Sequence, residues 1–426
     1  MPFLRALLAL SMIRAAAGAA EPGPIGEAFR QEWKLAPFYA KVLDAGIPVV
    51  GSARVSDMAI AEAGWIVGRM LDGRDDILRA MRANRVRLVV MAAGEYTTDI
   101  PEHAGLKPPL FWDRRARGLG ATLANPAVSC GEENLLAFPG DPYPGENILV
   151  HEFAHAIHGT GMVTVDPGFD ARLKAAHRAA VDRGLWRGTY AETDSGEYWA
   201  EGVQCWFDDN APADALHNGI RTRAALTRHD PALAALCRGV FGDKPWRYAR
   251  PAARPAAETA HLRGYDPSRL PRFRWREAPL TPRPRVLVQT SEGDMELELE
   301  TDAAREAVSL FLAVALAGGY HGARLQADSA GARASPLASR LEGVALPGKG
   351  RELPASSLRP GSAAVAMVRG APGDFLITGD AAAAEVPGHA PVGRILKGAE
   401  TAGKIMRAVA GGPGRGVDIR RVIRTE

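Results

Sequence analysis

The pentapeptide His151-Glu152-Phe153-Ala154-His155 constrains this chain more than any other feature of its 426 residues. Its flanks, Ile148-Leu149-Val150 and Ala156-Ile157, are apolar. Such a run reads as a buried helix, and Asn147 stands where a capping side chain is wanted. On a helix, positions i and i+4 share a face, so the two imidazoles point the same way. Two histidines and a carboxylate inside an apolar segment are costly to bury without partners. A shared metal ion answers that cost. The pattern predicts Zn²⁺ held by His151 and His155, with Glu152 placed to take a proton from a water that the metal acidifies.

A catalytic zinc needs a third protein ligand and one open position. The arrangement with a glycine three residues after the motif and a histidine three beyond it is absent, since those positions are His158 and Gly161. His158 lies a further turn along the helix and is expected beside the site rather than in it. The better donor is downstream, in Tyr190-Ala-Glu-Thr-Asp-Ser-Gly-Glu197-Tyr-Trp-Ala-Glu201. Glu197 and Glu201 again share one helix face, among Tyr198, Trp199, Val203, Trp206 and Phe207. A solvated glutamate stripe is the plainer alternative for this pair.

The two segments together resemble the zinc metallopeptidases with a glutamate as third ligand, in particular the catalytic domain of anthrax toxin lethal factor. The likeness covers 151–155 and 190–201. It implies that His151, His155 and Glu197 bind zinc and that Glu152 is the general base. Tyr190 would stabilise the oxyanion or act as an acid, and Glu201 would hold a ligand imidazole in its tautomer. A phenol, neutral at pH 7, suits the oxyanion role, although an ordinary half-buried tyrosine fits the spacing equally. The strings at 95–103 (EYTTDIPEH), 129–136 (SCGEENLL) and 145–158 also resemble a group of secreted bacterial and fungal proteins, which adds no substrate.

The region from 286 has a different character. Val286–Thr290 and Met295–Leu299 alternate about Glu292-Gly293-Asp294 and predict a β-hairpin. Residues 302–317 predict a helix, and short strands follow, as in a small barrel. Residues 286–322, 361–370, 373–380 and 393–406 resemble, in order, a cyclophilin-type peptidyl-prolyl isomerase. The Phe-His-Arg triplet which that resemblance calls for is replaced by Leu325-Gln326-Ala327, with Arg324 out of register. The glutamine before the paired aromatics is Asp374, followed by Phe375 and Leu376. Without the guanidinium, little or no isomerase activity is expected.

These readings assemble into an α+β chain. A mainly helical, zincin-like metallopeptidase domain occupies 21–275, a Pro/Arg-rich linker 276–285, and a cyclophilin-like closed β-barrel 286–426. Met1–Arg5, the apolar 6–13 and the small residues 15–20 read as an export signal, implying a secreted or periplasmic protein; an Ala-rich tail is the alternative. The three cysteines, Cys130, Cys205 and Cys237, allow one disulfide or none. Cys130 near the zinc is a minor possibility, since thiolates bind zinc well. Asp99, Glu102 and His103 cluster at turn residues and read as a solvated loop, with a second metal or a substrate contact as the sharper alternative. The net charge of +3 and the absence of an 18-residue apolar run argue against nucleic acid and membrane spans as partners. The function expected is zinc-dependent hydrolysis of a peptide or protein substrate. The alternatives are a peptide-binding or folding module of the cell envelope with a structural zinc, and a zinc hydrolase acting on cell-wall cross-links.

Overall fold

The computed structural model describes residues 21–214, 216–276, 278–328, 331–341, 358, 365–368, 371, 373–378, 388–411 and 415–426. The export segment lies outside the described residues, as do parts of the 361–370 and 373–380 strings.

The chain is a mixed α+β structure with two sheets. The first has six strands: β1 (Gly23–Pro24), β2 (Lys41–Asp44), β3 (Pro48–Gly51), β4 (Arg87–Met91), β5 (Gly118–Leu119) and β6 (Ala127–Gly131). Their order is β1-β2-β3-β4-β6-β5, and β4 runs parallel to both β3 and β6. A strand in such a position is covered on both faces, which explains the unbroken apolar run of β4. Side chains alternate across the sheet. Val49, Leu88, Val90, Val128 and Cys130 face the large core with the helices. Val50, Val89, Met91 and Ala127 face a smaller one built on Trp33, Tyr39 and Ile100.

A helix spans Asp57–Met70. Ser56 stands at its cap without a side-chain bond; its N–H instead donates to Glu132 at 2.9 Å. The Pro- and Gly-bearing segment 131–146 contains a helical turn at Glu132–Leu135. Its two acids are why. Glu132 also accepts from the Ala93 N–H at 2.8 Å, and Glu133 pairs with Arg117 at 2.6 Å, both fully buried. Asp99, Glu102 and His103 are not a solvated loop. Asp99 accepts from the Tyr96 N–H at 3.0 Å and pairs with Arg276. Glu102 takes the Tyr39 hydroxyl and pairs with Arg87 at 2.7 Å, while His103 meets the Ser129 hydroxyl at 3.2 Å. These ties pin the turn beneath the sheet. All three cysteines are free and buried. Burial pushes the Cys130 thiol well above its ordinary range, and it sits in the sheet core.

The second sheet is a closed eight-stranded barrel. Its strands are β7 (Arg285–Thr290), β8 (Gly293–Leu299), β9 (Arg324–Asp328), β10 (Gly331–Ala334), β11 (Val365–Val368), β12 (Phe375–Ile377), β13 (His389–Lys397) and β14 (Val417–Arg424). They run in the order β10-β12-β11-β13-β8-β7-β14-β9, and β9 pairs with β10 to close it. The predicted hairpin is β7–β8, and the predicted helix is Thr301–Leu316. The Pro/Arg-rich segment before the barrel is not detached from it: the Leu299 and Thr301 amides donate to the Pro284 and Pro282 carbonyls. Among the described residues, no helix is long and apolar enough to cross a membrane.

Candidate metal centre

Two helices carry the centre. The first spans Ile148–Ala156. Asn147 caps it, accepting from the Val150 N–H at 3.3 Å, while its own N–H is held by Asp209 at 3.0 Å. This anchoring sets the rotation of the helix, so His151 and His155 project from one face, a turn apart. The second helix spans Ser195–Trp206. Asp194 caps it, accepting from the Gly196 and Glu197 amides at 2.7 and 3.0 Å. Glu197 in the first turn therefore faces the histidines. The Trp199 indole bonds across to the Ala154 carbonyl at 2.9 Å and locks the pair. On the other flank, Gly118 and Gly120 let β5 lie against the first helix. A Cβ on Gly120 would stand 2.6 Å from the His155 Cβ, and one on Gly118 would stand 2.9 Å from the Glu152 Cγ.

The three ligand atoms converge. His151 Nε2 lies 3.0 Å from Glu197 Oε2 and 3.2 Å from His155 Nε2, and His155 Nε2 lies 3.3 Å from the same carboxylate oxygen. This is the one group among the described residues whose His, Cys, Asp or Glu atoms could hold a metal ion. The donor set, two imidazoles and a carboxylate, suits zinc. The Tyr190 hydroxyl donates to the other Glu197 oxygen at 2.9 Å. Glu152 lines the same cleft, of about 320 Å³, whose far wall is Leu119–Thr122. His158 stays outside, against Asp170 at 3.2 Å.

The tautomer of His151 follows from its other nitrogen. Nδ1 lies 2.8 Å from Gln204 Oε1, and the Gln204 amide nitrogen donates to Glu146 at 2.9 Å. With the amide oriented this way, Oε1 can only accept, so Nδ1 carries the proton and Nε2 presents its lone pair to the cluster. Glu201, expected in this holding role, is farther away, at 3.7 Å from Nδ1. It accepts from Asn210 at 3.0 Å and lies 3.6 Å from His217. No sequence motif marks Gln204. It lies seven residues after Glu197, on the same helix face, and its position was readable.

The charges at the centre oppose burial. Burial disfavours a charged His151, but the hydrogen bond and charge of Glu197 outweigh it and raise its pKa well above 6.5. Burial likewise works against ionised Glu197, but its bonds to His151 and His155 take it far below the carboxylate range. Both shifts have one cause, the close approach of the Glu197 carboxylate to the two imidazoles. Glu152 is raised, first by burial, against the lowering effect of the two histidines. Tyr190 is raised by burial and by Glu197, so it stays a neutral donor.

A smaller hollow of about 60 Å³ adjoins the cleft, bounded by His151, Glu152, Tyr190, Tyr143, Arg115 and Arg421. Arg421 belongs to the barrel, and no sequence pattern connected it with this site.

No family model and no curated protein matches the chain. Solved structures similar to it include a cyclophilin-type peptidyl-prolyl cis-trans isomerase of Cryptosporidium parvum. It has 18% identity and a TM-score of 0.28, over 34% of this chain and 98% of that one. The Mimivirus cyclophilin is similar at 16% identity and a TM-score of 0.28, over 36% and 94%. The matches cover about a third of this chain.

Proposed function

We propose that the protein is a zinc-dependent hydrolase of peptide bonds. The observation that carries this reading is the convergence of His151, His155 and Glu197, with Glu152 and the Tyr190 hydroxyl in the same cleft. A zinc ion there supplies Lewis acidity, polarising a carbonyl and lowering the pKa of water. The residues supply the rest. Glu152, its carboxyl pKa raised by burial, accepts the water's proton and passes it to the leaving amine. Tyr190 donates to the oxygen that becomes negative, exchanging its bond to Glu197 for one to substrate. Gln204 keeps His151 in the binding tautomer.

The test is zinc content and hydrolysis in three chains. The parent should hold about one zinc and cleave peptides in a mixed digest read by mass spectrometry. Glu197→Ala should lose zinc. Glu152→Gln should keep zinc and lose cleavage by at least ~10²-fold. Full activity in Glu152→Gln would sink the reading.

A second reading has its own support, the closed barrel. It is a peptide-binding or folding module in which the metal centre is structural. In the barrel, Asp374 is held by Arg333 at 2.7 Å and by Ser335 at 2.7 Å, and Phe375 is fully buried. With the guanidinium of Arg333 engaged and Leu325-Gln326-Ala327 on β9, isomerase chemistry is not expected. This reading requires binding to unfolded chains with no cleavage products.

A further inference from the structure

We infer that Arg115 and Arg421 form a cradle for a carboxylate of the substrate, built jointly by the two halves of the chain. The inference rests on the hydrolytic reading of the adjoining centre and names what that centre takes: a peptide bearing a carboxylate close to the bond that is cut.

The observations are these. Arg421 lies on β14, yet its side chain leaves the barrel and donates from Nη1 to the Arg115 carbonyl at 3.1 Å. The cause is a break in register. Ile419 pairs with Thr290 and Arg421 with Gln289, so Arg420 is an extra residue on β14. Such a bulge re-aims the following side chain. Arg115 ends the helix Pro109–Arg115, and its guanidinium rests 5.6 Å from the Trp112 ring. Among the described residues neither guanidinium is held in an ion pair, although the charge of Arg115 acts on Glu152 across the hollow. Both instead border the hollow that His151, Glu152 and Tyr190 share.

The acids beside them are engaged or have their own task. Glu146 accepts from Gln204, and Glu201 accepts from Asn210. A half-buried guanidinium with one of its five N–H donors used is an incomplete hydrogen-bonding group. Two guanidinia bordering one hollow can meet the paired oxygens of a carboxylate, bidentately or one oxygen each. The carboxylate can come from the C-terminus of a peptide or from an Asp or Glu side chain. The shared chemistry is the same.

The experiment measures binding by calorimetry to the full, zinc-loaded chain carrying Glu152→Gln, which suppresses turnover. The probes are acetyl-Gly-Ala-Ala as free acid and as amide, and acetyl-Gly-Glu-Ala-amide. Binding of a carboxylate probe should exceed that of the plain amide by about tenfold. The free acid winning identifies a chain terminus as the source; the Glu amide winning identifies a side chain. Arg421→Gln and, separately, Arg115→Gln should each remove the preference, and Arg421→Lys should keep part of it. Melting curves confirm that the variants are folded, and two variants on different elements guard against one that is not. Equal binding of all three probes overturns the inference. So does a preference that survives both glutamine variants, since the carboxylate then sits on the metal. Zinc binding and cleavage without a carboxylate preference would leave the hydrolase and remove the cradle. An Arg421-dependent preference without cleavage by the parent would do the reverse.

Discussion

Gln204 shows how much one uncharged side chain decides at this centre. Its carbonyl oxygen faces His151 Nδ1 at 2.8 Å, and its amide is anchored on Glu146. Gln204→Leu removes the acceptor that selects the tautomer while keeping the volume close. Zinc affinity should fall by about 10–100-fold, measured by competition with a chelator, with little change in the melting curve. His158→Ala makes the contrast. That ring is tied to Asp170, away from the cluster, so zinc affinity should match the parent in the same assay. Zinc loss in His158→Ala would mean that the third ligand had been misassigned.

At the scale of the element, the centre depends on how closely β5 and the helix Ile148–Ala156 approach. The position of Gly120 admits no Cβ without pushing on His155. Gly120→Val should lower stability by about 1–3 kcal/mol, read as a fall in Tm, and should weaken zinc binding by moving His155. Parent-like zinc affinity in this variant would show that the helix can yield without losing the geometry. The helices themselves were readable in advance, because apolar spacing, Asn147 and Asp194 are local signals. The turn at Glu132–Leu135 and the buried network of Asp99, Glu102 and His103 were not. Their acids find partners on Ser56, Ala93, Arg117, Arg87 and Arg276, and such long-range pairs leave no trace in local composition.

The whole molecule brings the barrel against the half that carries His151, His155 and Glu197, and His321 records that contact. Burial, followed by Arg421 and Arg340, lowers its pKa from 6.5 to about 4, while Asp214 and a bond to the Val422 backbone pull the other way. Its Nε2 is buried without a partner. The folded state thus keeps this ring neutral while the unfolded chain protonates it near pH 6.5. Between those two values the unfolded state binds more protons, so stability rises with pH and is lost on acidification, by up to ~3 kcal/mol for this group. His321→Phe should flatten the dependence of Tm on pH between about 4 and 6.5. An unchanged slope would place the acid sensitivity in other groups.

By itself the sequence determined that His151 and His155 share one face of an apolar helix, that an acidic helix follows, and that the character turns strand-rich after residue 285. Periodicity, capping residues and motif spacing act over a few residues and are legible there. Only the tertiary structure decided that Gln204 stands nearer to His151 than Glu201, that Cys130 sits in the sheet core, and that Arg421 reaches the hollow beside the cleft. Each of these is set by the docking of elements far apart in the chain and, for Arg421, by one residue of register in β14. A one-residue shift changes where a strand's side chains point, and nothing in the local pattern around 419–421 declares it.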